Sequence, residues 1–327
     1  MAAGHDRRGF LRELLRGATR AASEIESLRA RAEPLEPSWD GPLASVPDTP
    51  FHTVPAVPAT RLATVDELRA LCCDLGREDW TDEATTLARR SVRLTRGDTG
   101  RSRLGGSPEV PTPFEWPVWD GEELAFLAQL YLAELPGNEL PRTGMLLVFF
   151  ALDRAPAGYA PDDAGACRVL YVEDGPTQRV PRDDCLPEMP VRASEELTLP
   201  LDPVSFETGV SDTDTWSELR ERLAALQGLE LEDATADYRA IHRLLGYPDT
   251  LVDGMASDAE LVSRGIDIIR DPYPDEPVSG ADWRLLLQIS NDDELGIALG
   301  AFERLFVWVR DDDLRAGRFD ATRAFVR

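Results

Sequence analysis

The sequence contains no lysine: all 35 of its basic residues are arginine. That excludes Schiff-base chemistry and a phosphate-binding loop built on Gly-Lys. Only three histidines are present, His5, His52 and His242, too few for a His-rich metal centre. The four cysteines, Cys72, Cys73, Cys167 and Cys185, form no C-x-x-C pair and read as reduced cytoplasmic thiols. No apolar run reaches 18 residues, so no transmembrane helix is expected. Positive charge is scarce overall. The formal net charge is −25, which argues against a nucleic-acid surface, since phosphate binding needs clustered cations. No G-x-G-x-x-G, G-x-S-x-G or EF-hand spacing occurs. No cofactor and no metal is implied.

What is present suits one large domain or two ordinary ones. Residues 1–33 read as an N-terminal amphipathic helix over about 8–32. Phe10, Leu11, Leu14, Leu15, Ala18, Ala22, Ile25 and Leu28 fall mostly on one face. This segment is basic, with seven arginines against four acids in residues 1–31. It could dock on the acidic remainder, bind a partner or lie on a membrane surface. Asp6 to Arg12 also resembles a twin-arginine export signal at Arg7-Arg8. Glu13, Arg16 and Arg20 then break the apolar stretch that should follow, so a cytoplasmic location is the main expectation. Residues 34–59 hold seven prolines and read as a linker or arm, with Trp39, Phe51 and Val54 able to pin it to the body.

Residues 60–327 read as a globular α+β domain with mixed, largely antiparallel sheets. Thr64-Val65-Asp66-Glu67 is a capping box that opens a helix ending at Gly76. A second helix is expected over Thr81–Arg90 and a strand over Ser91–Thr95. Apolar strands follow around Gln129, over Met145–Leu152, Cys167–Val172 and Val191–Leu199. Helices are expected at Thr215–Leu226, at Asp233–Leu245 and from a capping signal at Ser257. Strands around Gln288, at Arg304–Arg310 and at Thr322–Val326 close the chain, with a helical turn at Asp311–Arg315.

Two segments repeat a pattern. R-L-G-G-S-P at Arg103–Pro108 and R-L-L-G-Y-P at Arg243–Pro248 both match R-L-x-G-x-P. Each precedes an apolar strand with one central glutamine, Gln129 or Gln288. Twenty residues beyond each lies an aromatic, Phe149 or Trp308. The pattern predicts two pseudo-repeated lobes, about 91–200 and 230–327, from an ancient duplication.

These segments, with L-P-R-T-G-M-L-L-V-F-F at Leu140–Phe150, D-W-R-L-L-L-Q-I at Asp282–Ile289 and L-F-V-W-V-R-D-D-D-L at Leu305–Leu314, resemble the YwqG-like bacterial family of unknown function. The resemblance spans about residues 90–327 and implies a mixed, largely antiparallel α+β domain. It implies no activity.

Candidate chemistry is thin. Arg103, Gln129, Arg243 and Gln288 could line an inter-lobe groove that binds a small anionic ligand or an unknown protein partner. The plainer alternative is that each Arg and Gln bonds the backbone of its own turn. His242 could be a general acid/base in an enzyme whose arginines hold an anionic substrate. Its plainer role is a cap at a helix C-terminus before Gly246. The acids at Asp292–Glu294 and Asp311–Asp313 read as solvated turns rather than cation sites.

Overall fold

The structure is a computed structural model. It describes residues 62–327 apart from 98–99, 138, 204–209, 228–240, 251–253, 272–273, 275 and 301–303, all within the unit Pro55–Arg327. The amphipathic helix at 8–32, Arg7-Arg8, His52 and the Pro-rich arm lie outside the described residues, as does most of the helix expected at Asp233–Leu245.

Helix α1 (Val65–Asp74) begins at the expected capping box: Thr64 accepts from the Glu67 amide, and the Glu67 carboxylate accepts from the Thr64 amide. Helix α2 (Thr81–Leu87) is shorter than expected, because Arg89 and Arg90 belong to β1 (Arg89–Arg96). Then come β2 (Arg103–Leu104), β3 (Glu109–Val110), β4 (Val118–Trp119), β5 (Glu122–Glu123), β6 (Ala125–Tyr131), β7 (Met145–Phe150), β8 (Cys167–Val172), β9 (Gln178–Arg179) and β10 (Met189–Thr198). Helix α3 (Thr213–Leu226) is capped by Asp212. Next are β11 (His242–Leu245), α4 (Met255–Ser263), β12 (Trp283–Ser290), β13 (Arg304–Arg310), α5 (Asp311–Arg315) and β14 (Arg323–Val326).

Two expectations are corrected. His242–Leu245 is a strand, not the end of a helix, so His242 caps no helix. A four-residue apolar run has no distinguishing period. It is paired on both edges, with β1 and β12, and is buried throughout. Helix α4 begins at Met255 behind a left-handed Gly254, not at the Ser257 signal.

Ten strands join one sheet in the order β14-β13-β12-β11-β1-β10-β2-β6-β7-β8, and every described pairing is antiparallel. Strands β3 with β9 and β4 with β5 form two small ribbons. Mixed helices and mainly antiparallel strands therefore agree with the α+β expectation. Strand β7, M-L-L-V-F-F, is buried at every position, so both of its faces are covered.

The sheet curls until its edges nearly meet. The Val326 amide reaches the Ala157 carbonyl in the β7–β8 connection at 3.3 Å. Tyr171 of β8 packs on Phe319, ring centroids 6.3 Å apart. Gly158 (φ +85°) makes this closure possible, because a Cβ there would lie 1.8 Å from the Ala324 carbonyl oxygen. Inside the curl lies one apolar core with side chains from both ends of the sheet, including Val148, Val169, Leu244, Leu287, Val307 and Val326. Burying each large side chain there contributes roughly 1.5–3 kcal/mol. The outer face is covered in sections. Helix α4 packs over Trp283, Phe306 and Phe325. The 110–124 segment packs over Phe126, Leu147 and Phe149. Helices α1, α2 and α3 gather around Trp80 and Trp216, which meet edge-on.

Among the described residues no helix is long and apolar enough to cross a membrane. All four cysteines are free thiols, and burial pushes Cys167 up to about 12.

Candidate functional site

The two R-L-x-G-x-P segments fold alike, each as a short strand that runs into a turn. Each has two successive left-handed positions: Gly105 and Gly106 (φ +62° and +70°), and Leu245 and Gly246 (φ +60° and +73°). Gly105 has no alternative there, since a Cβ would lie 2.1 Å from the Pro187 carbonyl oxygen. Leu245 holds a conformation that costs an L-residue about 1–2 kcal/mol.

The arginine that opens each turn sits opposite its glutamine across a strand pair: Arg103 opposite Gln129, and Arg243 opposite Gln288. Both glutamines are fully buried. Gln129 Oε1 accepts from the Glu109 amide at 2.8 Å, and its Nε2 donates to the Arg101 carbonyl at 3.1 Å. Gln288 Oε1 accepts from the Asp249 amide at 2.9 Å, and its Nε2 donates to the Ile241 carbonyl at 3.0 Å. Counted from the arginine, the amide lies six residues on and the carbonyl two residues back in both cases. Arg103 Nη2 donates to the Ser107 carbonyl at 2.9 Å, and Arg243 Nη1 reaches the Tyr247 carbonyl at 3.5 Å. Each glutamine thus clasps the turn of its own strand pair.

The four residues do not converge. Two strands, β1 and β10, separate β11 from β2, so the two clasps stand roughly 14 Å apart along the sheet, at about 4.8 Å per strand. Two cavities, of about 10 and 310 Å³, lie near Gly165 and Leu68 respectively, and neither is lined by any of the four.

His242 is buried in β11. Its Nε2 stands 3.2 Å from Asp292 Oδ2, and the Ser290 amide donates to its Nδ1 at 3.4 Å. With Nδ1 accepting, Nε2 carries the proton and donates to Asp292. The hydrogen bond from His242 holds the Asp292 carboxyl below the usual carboxylate range, against an opposing push from burial. Both ring nitrogens are engaged. The corresponding position in the first turn is Ser102, whose Oγ accepts from the Tyr131 amide at 2.9 Å. Tyr131 lies two residues past Gln129, as Ser290 lies two past Gln288. His242 therefore does for its turn what a serine does for the other.

A polar cluster that sequence reasoning missed lies between the clasps. On the outer face, Arg93 of β1 is directly opposite Arg243 of β11. Both guanidiniums converge on Glu196 of β10, which is 1% exposed. Arg93 Nη2 donates to Glu196, and Arg243 Nε lies 3.0 Å from its other oxygen. The latter is a contact by distance only, because the N–H is not aligned on the carboxylate. Ser91 Oγ donates to Glu196 at 3.2 Å, and Arg93 Nη1 reaches the Gln227 carbonyl at 3.3 Å. Burial pushes the Arg93 guanidinium down from its ordinary value, and Glu196 pulls it back only in part. The one available signal was period: Arg93 alternates with Val92 and Leu94 in R-R-S-V-R-L-T-R, which marks a strand face but not its burial.

Among the described residues no group of three or more His, Cys, Asp or Glu side chains is arranged to hold a metal. Planar cations facing a buried carboxylate can hold an oxyanion or fix a strand junction; they do not supply a nucleophile. No curated protein matches the chain. A family model for a domain of unknown function, DUF1963, matches residues 102–326. That stretch contains both clasps, Glu196 and Arg243, and by this match the chain belongs to the DUF1963 family.

Proposed function

We propose that this chain is a binding or interaction protein of the YwqG-like kind, made of a duplicated half-sheet. Its recognition surface lies at the seam between the halves and takes a small anionic ligand or a protein partner. Support for the duplication comes from the equal offsets in the two clasps and from the mirrored strand orders β10-β2-β6-β7-β8 and β1-β11-β12-β13-β14. The bulges agree too, falling two residues before each glutamine, at Leu127 and Leu286. The observation that carries the recognition surface is the Arg93–Glu196–Arg243 cluster at that seam. Gln129, Gln288 and Arg103 are spent on their own turns, so they contribute by holding the halves in shape. The binding reading is preferred to catalysis through His242 because both of its ring nitrogens are engaged. A cytoplasmic location accords with the four free thiols.

The test is capture from an extract of the native host, with proteins and small molecules both read by mass spectrometry. Wild-type chain is compared with Arg243→Gln, a change within the seam cluster whose folding is checked by thermal unfolding, and with His242→Gln. Ligands retained by wild type and by the histidine variant but lost by the arginine variant support the reading. Identical retention by wild type and a folded Arg243→Gln overturns it.

A further inference from the structure

The larger cavity, of about 310 Å³, is walled by the start of α1, the end of α2 and the β1–β10 pair. Among its lining residues Ala63 and Leu68 are buried, while Val65 and Arg90 are exposed, so it runs from solvent into the protein. Its walls are held in place by one side chain. Gln227, 1% exposed, accepts at Oε1 from the Ala63 amide at 3.2 Å and from the Leu197 amide at 2.6 Å. Its Nε2 donates to the Leu197 carbonyl at 2.9 Å. Ala63 leads into α1 and Leu197 belongs to β10, so this amide fixes the distance between two walls of the cavity. A void braced in this way is pre-formed rather than collapsible.

Three polar side chains line the cavity among the described residues, and two of them are engaged elsewhere. Thr64 Oγ1 accepts from the Glu67 amide at 3.2 Å and donates to the Glu67 carboxylate at 3.1 Å. Arg90 Nη1 is paired with Glu195 at 3.2 Å. The third is Thr85, on α2. A helical threonine ordinarily satisfies its hydroxyl on the carbonyl four residues back, as Thr86 does on Asp82 at 2.8 Å. Thr85 Oγ1 makes no such bond: it is buried and has no hydrogen-bond partner among the described residues. A buried, unpaired hydroxyl is costly unless something in the cavity completes it. Water suits the rest of the space poorly, since each molecule needs two to four polar partners and most of the lining is Leu, Val and Ala.

We infer that this cavity is a binding site for a small, uncharged, mainly apolar molecule that carries one hydroxyl or carbonyl oxygen. The apolar body lies against Ala63, Leu68, Ala88 and Leu197, and the oxygen meets Thr85 Oγ1, which can donate or accept. At about 30 Å³ per non-hydrogen atom the space holds roughly ten such atoms, and dry apolar cavities of about half this volume take up benzene. An apolar pocket of this size with one convergent polar group is the ordinary form of a small-molecule site. Charge is excluded because the one charged lining residue, Arg90, already has its counter-ion in Glu195. Arg93, Glu196 and Arg243 do not line the cavity, so this site stands or falls independently of the seam.

The experiment titrates the purified full chain with benzyl alcohol and 1-octanol, with ethylbenzene as the hydroxyl-free match and benzoate as the charged one. Calorimetry and thermal unfolding are the readouts. Wild type is expected to bind at least one of the two alcohols with a dissociation constant of about 1 mM or tighter. Ethylbenzene should bind more weakly and benzoate should give no response. Thr85→Val, which keeps the shape and removes the hydroxyl, should weaken alcohol binding about 5- to 10-fold and leave ethylbenzene unchanged. Its melting temperature without ligand should be unchanged or higher. Ala88→Leu, which fills the space, should lose all binding. No response of wild type to either alcohol overturns the proposal, and if Ala88→Leu is also destabilised, residues preceding Leu62 are the occupant instead. Alcohol binding that Ala88→Leu leaves intact lies elsewhere and overturns it too. Should Ala88→Leu fail to fold, a Thr85→Val chain that binds the alcohols as wild type does overturns it as well.

Discussion

At the first turn the arginine meets carboxylates that stay partly exposed; at the second it meets a buried one. Arg103 is drawn to Glu109 at 3.3 Å and Glu188 at 3.8 Å, carboxylates that keep partial exposure. Arg243 is drawn to Glu196, which has almost none. The clasping glutamines, the left-handed pair and the backbone partners are otherwise alike. One local plan therefore serves two ends, and the difference comes from what the neighbouring strand offers. Next to β2, β10 presents Pro190 opposite Arg103. Next to β11, β1 presents a second arginine, Arg93, and a shared carboxylate becomes necessary.

Removing that carboxylate should separate the turns most sharply. Glu196→Gln leaves Arg93 and Arg243 facing each other unneutralised, and is expected to cost about 3–5 kcal/mol in denaturant unfolding. Glu109→Gln at the first turn should cost less than about 1 kcal/mol, since its ion pairs are partly solvated. Equal losses would mean that the buried cluster is no more structural than the partly exposed ion pairs of the first turn. Partial burial pushes the Glu109 carboxyl up, but Arg101 and then Arg103 pull it down further, leaving it below the ordinary range.

The clasps themselves should be near equivalents. Gln129→Leu and Gln288→Leu each leave a buried amide and a buried carbonyl without a partner, at about 1–3 kcal/mol. Gln129 also accepts from Arg103 Nη2 at 3.0 Å, so its loss should be the larger. A clasp variant that unfolds at the wild-type denaturant midpoint would break the parallel.

A smaller contrast lies one residue before each arginine. Ser102→Ala is expected to cost about 1 kcal/mol for a lost acceptor of the Tyr131 amide. His242→Ala should cost more, because Asp292 loses its donor as well. Stability of both variants by thermal unfolding measures the pair.

The smallest effect is pH dependence. Asp292 titrates lower in the folded chain than its unfolded value of about 3.9. Its contribution is therefore present above that value and is lost as pH falls below it, through the folded-state pKa. Asp292→Asn should flatten the acid limb of the stability curve below about pH 4 and leave neutral pH behaviour little changed. An unaltered acid limb would remove Asp292 from the account.

Much of each clasp is legible in the chain. Gln129 and Gln288 stand out as single uncharged polar residues in apolar runs, and a buried amide must be paired. The shared R-L-x-G-x-P and the spacing of twenty residues to Phe149 and Trp308 show that they belong to one pattern. Strand β11 was not legible, because H-R-L-L fits either period and its two edges are both filled by distant partners. Helix α2 stops short of Arg90 because Arg89 and Arg90, which continue a helical composition, are drawn into a strand by pairing with β10.

The sequence by itself determined the helix cap at Thr64, the apolar character of the strands and the glycine- and proline-bearing turns of the two R-L-x-G-x-P segments. These depend on neighbours along the chain and on short-range sterics. Tertiary structure alone decided that Arg93 and Glu196, 103 residues apart, would meet, and that Arg243 would share that carboxylate. Burial and ionic partnership are properties of which strands become adjacent, and adjacency follows from the closure of the whole sheet around its core.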